Sequence, residues 1–75
     1  MRTTMELIKR NCYTFEHVEK FKFSYLDQLE AYLAEHKKKA LYKRMATAFS
    51  AILHKERTKA TFSCDRYHDY VMRAD

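Results

Sequence analysis

The sequence predicts an all-α fold, a small bundle of three to four short helices, on three observations. The 75 residues contain neither glycine nor proline, where average usage would supply about nine of the two together. Glycine gives the positive φ of tight hairpins and proline fixes φ while removing a donor. A chain lacking both has poor means of making type I′ or II′ turns. Apolar residues also recur at helical spacing in four segments, and capping signals precede three of them.

The first segment opens on Thr3-Thr4-Met5-Glu6, a Thr-x-x-Glu capping box. At about 100° per residue, Met5, Leu7, Ile8, Cys12, Phe15 and Val18 share one half of the wheel. The spacing predicts a helix over about residues 4–20. Glu19 and Lys22 would fall on its apolar side, so it stops there.

Ser24 with Asp27 reads as a second N-cap, followed by Leu26, Leu29 and Leu33 at i, i+3 and i+7. This predicts a helix over about 25–36. Leu41, Met45, Ala48, Phe49, Ile52 and Leu53 predict a third over about 39–56. The two apolar stripes are out of phase by about a third of a turn, so a bend is expected near His36 to Lys38. Ser63 reads as a last N-cap, with Asp65 favourable to the helix dipole and Phe62 stapled on Tyr67. Cys64, Tyr67, His68 and Val71 then share a face of a helix over about 64–73.

One rival pattern lies between the first two segments. Glu19-Lys20-Phe21-Lys22-Phe23-Ser24 alternates and two helical segments follow it, the order of a ribbon–helix–helix DNA-binding dimer. The glycine-free turn and the strong first helical segment speak against that order.

Residues 1–75 read as a single helical domain, near the lower end of what folds alone. Six tyrosines and five phenylalanines within 47% hydrophobic residues argue against a disordered chain. Tyr, Phe and Met are enriched where proteins touch, so a homodimer is expected. Two cysteines are too few for a disulfide framework. With no apolar run in Met1 to Arg10 and no membrane span, a cytoplasmic protein is expected.

The net charge of +5 is unevenly placed. Residues 37–59 hold eight basic residues against the single acid Glu56, while the segments on either side are each slightly acidic. Such a block marks an electrostatic partner more often than a need of the fold. On the third helix Lys39, Lys43, Thr47, Ser50, His54 and Arg57 line the side opposite the apolar stripe, flanked by Arg44 and Lys55. The expected partner-binding residues are Lys37, Lys38, Lys39, Lys43, Arg44, Ser50, His54, Lys55, Arg57 and Lys59. Their partner is an acidic protein surface or, alternatively, the phosphates of a nucleic acid. Sequence-specific reading of DNA is disfavoured, because Asn11 and Gln28 are the only side-chain amides and neither lies in the block.

Catalytic and metal chemistry have weaker grounds. Cys12 with His17 and Cys64 with His68 offer zinc-ligand types. On the expected first helix, however, Cys12 and His17 point about 140° apart. Cys64 with His68 is the one nucleophile–base pair, and nothing supplies an oxyanion hole. The reading is therefore a non-enzymatic regulatory or inhibitory protein without a cofactor.

Overall fold

The computed structural model describes residues 4–75, and it corrects the predicted fold class: the chain is a mixed α/β sandwich of one sheet and two helices. Strands β1 (Met5–Asn11) and β2 (His17–Phe23) form a hairpin, and helices α1 (Leu26–Glu35) and α2 (Tyr42–Leu53) follow. A second hairpin, β3 (Lys59–Ser63) and β4 (His68–Ala74), closes the chain. A single 3₁₀ turn, Lys39–Leu41, leads into α2. The sheet is antiparallel with strand order β2-β1-β4-β3, so the first and last strands of the two hairpins meet at its centre.

Two expected helices are thus strands. Where a helix was expected over 4–20, Met5 and Leu7 point to the helices while Ile8 points to the opposite face. All three are buried. A central strand buried on both faces loses its alternation and reads as a continuous apolar run, which periodicity cannot separate from a helix. Cys12, Phe15 and Val18 extended the apparent helical stripe only by chance. Cys12 is partly exposed, Phe15 and Val18 are exposed, and all three belong to the hairpin turn or the edge strand. Thr3, the expected N-cap, lies outside the described residues. Over 64–73, Tyr70 and Met72 face the helices and Val71 faces away, again all buried. The Phe21/Phe23 alternation belongs to β2, which pairs with β1 of its own chain rather than forming an intermolecular ribbon.

The hairpins turn without glycine because side-chain carbonyls do its work. Asn11 Oδ1 accepts from the backbone N–H groups of Tyr13 (2.8 Å) and Thr14 (3.0 Å), while Phe15 takes the left-handed conformation at φ 63°. Asp65 Oδ1 accepts from the N–H groups of Tyr67 (2.8 Å) and His68 (3.0 Å). Both are Asx turns. Ser63 is the last residue of β3 and not an N-cap, and Phe62 packs on the core while Tyr67 stays exposed.

Helices form over the second and third segments. Tyr25 is the N-cap of α1 in place of Ser24, and Gln28 Oε1 reaches back to the N–H groups of Ser24 and Tyr25. Each helix ends in a Schellman motif with lysine where glycine is usual. Lys37 (φ 57°) donates to Ala34 O and Lys38 to Leu33 O; Lys55 (φ 61°) donates to Ile52 O and Glu56 to Ala51 O.

Both helices lie on one face of the sheet, α1 over β2 and α2 over β4 and β3. The core between the layers holds Met5, Leu7, Phe23, Leu29, Leu33, Met45, Phe49, Tyr70 and Met72. On the other face, Ile8 lies opposite Val71 between two cross-strand pairs, Glu6 with Arg73 and Arg10 with Asp69. Arg73 Nη2 reaches Glu6 Oε1 at 3.0 Å and Arg10 Nε reaches Asp69 Oδ1 at 2.8 Å. These long side chains cover the apolar pair, which explains why Ile8 is buried on an unlayered sheet face.

Candidate functional site: a basic face and the α2–β3 groove

The structure describes five ion pairs: Arg10–Asp69, Lys22–Asp75, Glu19–His36, Asp65–His68 and Glu6–Arg73. None involves a cation of the block 37–59, whose eight basic side chains have no carboxylate partner among the described residues. The fold uses its acids elsewhere and leaves the block's charge unneutralised. At a Debye length of about 8 Å in physiological salt, neighbouring cations in this stretch still repel one another.

Each predicted residue has a definite place. Lys37 and Lys55 are the left-handed residues that close the two helices. Lys43, Arg44 and Ser50 lie exposed on α2, with Thr47 between them and His54 as the C-cap. Lys39 opens the 3₁₀ turn. Lys38 is half-buried and donates from Nζ to Cys64 O at 3.3 Å, tying the start of α2 to the end of β3. Lys59 departs from the set: it lies opposite Arg73, and its side chain belongs to the far face of the sheet.

Arg44 and Arg57 come together. They flank a groove of about 530 Å³ between α2 and β3, lined also by Thr47, Thr61, Phe62 and Ser63. The guanidinium of Arg57 is oriented by its Nε, which donates to Lys59 O at 3.0 Å. Its two Nη groups stay available. Two arginines beside one groove, with no carboxylate in its lining, offer charged donors to an anion, while the Thr47 hydroxyl is already donated to Lys43 O at 3.1 Å. The sequence reading missed Thr61, Phe62 and Ser63, because their place beside α2 follows from the β3 strand that it took for a link and a cap.

A second polar group lies under α1. Tyr32 donates from its hydroxyl to Glu19 Oε2 at 3.0 Å, and the His36 ring lies tilted against the Tyr32 ring. The Tyr70 hydroxyl interacts with both Tyr32 and the Cys64 thiol. Burial raises the Tyr32 hydroxyl well above its usual range, helped by the bond to Glu19. Burial likewise pushes Tyr70 up to about 12, with Cys64 adding to the shift. At the turn, the N–H of Tyr67 first and the His68 side chain second hold Asp65 at about 2.

Cys12, His17, Cys64 and His68 are not gathered. Among the described residues no three Cys, His, Asp or Glu side chains are placed to share a metal ion. Both cysteines are free thiols, Cys64 packed against the core and Cys12 near Arg66 O. No helix among the described residues is long and apolar enough to cross a membrane. Compared with family models, curated proteins and solved structures, the chain matches none.

Proposed function

We propose that this chain is a non-enzymatic regulatory or inhibitory protein that docks on an acidic surface of a larger protein in the cytoplasm. The docking face is α2 with its flanking links, residues 37–59. One observation carries the reading: among the described residues no cation of the block has a carboxylate partner, although three of the sheet's cations are paired. Charge that meets no internal counter-charge, carried mostly by α2 and its ends, steers an oppositely charged partner and raises the rate of encounter. A homodimer belongs to the same reading, with exposed Tyr13, Phe15 and Tyr67 at the adjoining hairpin tips as its contact.

A nucleic-acid partner is the second reading, favoured by the hydroxyls of Thr47 and Ser50 beside Lys43 and Arg44 on the exposed side of α2. Fluorescence anisotropy with labelled polyglutamate, duplex DNA and single-stranded DNA, at low and at physiological salt, separates the two. The proposal expects polyglutamate to bind and to compete with DNA at physiological salt. Tight DNA binding that collapses steeply with salt, with no response to polyglutamate, would replace it with the second reading.

A further inference from the structure

Strand β3 is an edge of the sheet, and its free side borders the Arg44–Arg57 groove. In an antiparallel pair, residues alternate between bonding the partner strand and pointing their N–H and C=O groups away from it. Cys64 N donates to His68 O, so positions 64, 62 and 60 bond inward to β4. Lys59, Thr61 and Ser63 therefore point outward. The Arg57 side chain occupies Lys59 O. The outward N–H and C=O groups of Thr61 and Ser63 bond to no other described residue, and both residues line the groove.

Resting on the docking reading above, we propose that its recognition element is this edge: an extended acidic segment of the partner adds to the sheet as a fifth strand along β3. Main-chain bonds to Thr61 and Ser63 give the segment its register. A carboxylate side chain from it enters the groove between Arg44 and Arg57, where the guanidinium forks match its geometry. The charges select this occupant. A second copy would bring the same basic groove, with no carboxylate in its lining, against itself, and like charge juxtaposed across an interface disfavours that occupant. The other edge, β2, carries the acidic Glu19 on the side facing α1. A duplex nucleic acid supplies anionic charge but no strand to complete the edge.

The test uses the full chain and a labelled peptide of alternating glutamate and valine. Binding is measured beside a peptide of the same sequence N-methylated at alternate residues, and beside duplex DNA. Hydrogen exchange of the Thr61 and Ser63 amides is followed on binding. Binding of the plain peptide, slowed exchange at those two amides, and loss of at least tenfold in affinity on N-methylation support the proposal. So does a loss of about tenfold or more with Arg44→Ala or Arg57→Ala. Thr61→Pro removes only an outward N–H, which an edge strand tolerates, and should abolish binding. If it does not fold, the N-methylated peptide decides alone. Equal binding of both peptides with unchanged exchange overturns edge pairing and leaves the basic docking face standing. Binding of DNA and of neither peptide overturns both.

Discussion

Raising the pH should unfold this protein through two tyrosines. Tyr32 is 8% exposed and Tyr70 1% exposed, and burial raises both hydroxyls above the ordinary value of 10, Tyr70 to about 12. A folded-state value above the unfolded one gives stability that is complete below pH 10 and lost as pH rises. Between pH 10 and 12 the unfolded chain releases two protons that the folded chain keeps. Stability then falls by about 1.4 kcal/mol per pH unit for each tyrosine. At pH 11.5 this amounts to about 2 kcal/mol apiece. A chain of this length has a total stability on the order of 4–11 kcal/mol, so the loss is a large share of it. Urea unfolding followed by circular dichroism at pH 9, 10.5 and 11.5 measures the slope. Tyr70→Phe should remove about half of it while leaving the neutral-pH fold in place. A flat profile from pH 9 to 11.5, or a slope unchanged in Tyr70→Phe, would refute the account of the Glu19–Tyr32–Tyr70–Cys64 group.

Three further outcomes are expected. Asp65→Ala leaves the N–H groups of Tyr67 and His68 without their acceptor and should lower the midpoint of urea unfolding. Because the folded chain holds the Asp65 carboxyl at about 2, its contribution is present above pH 4 and lost as pH falls toward 2, a decline that Asp65→Ala should lack. Lys37→Gly relieves a left-handed lysine worth about 1–2 kcal/mol, offset by about 0.4–1 kcal/mol of unfolded-chain entropy. Its midpoint of thermal unfolding should rise, and a fall would count against the Schellman assignment. Leu33→Ala, at a fully buried position on the sheet-facing side of α1, should cost about 2–5 kcal/mol and lower the midpoint of urea unfolding followed by circular dichroism.

The sequence showed the helices and the charge well, and the sheet poorly, for a physical reason. The α1 and α2 segments each bury one face, so Leu29 and Leu33, or Met45, Ala48, Phe49 and Ile52, keep their helical spacing. Strands β1 and β4 sit at the sheet centre and bury both faces, and neighbours such as Leu7-Ile8 and Val71-Met72 then carry no period of two. The two edge strands do alternate, β2 with Phe21 and Phe23 inward and Lys20 and Lys22 outward, β3 with Ala60 and Phe62 inward between Lys59, Thr61 and Ser63. The absence of glycine does not prevent hairpins in this chain. Asn11 and Asp65 carry the turn signal, an Asx side chain between two apolar runs, and Phe15, Lys37 and Lys55 accept the left-handed backbone that glycine usually takes. Of the candidate site, the basic block was legible because charge is read directly from residue type. The groove was not, since half its lining comes from β3.

The central claim is that the cations of residues 37–59 serve a partner and not the fold. Titration of labelled polyglutamate into the wild-type chain and Lys43→Glu/Arg44→Glu, with the unfolding free energy of both measured in the same buffer, tests it most directly. The account predicts that the reversed chain is at least as stable as wild type, because repulsion within the block is relieved, and that it no longer binds the probe. A reversed chain that binds as tightly as wild type, or that loses stability, would show that these charges belong to the fold and contradict the account.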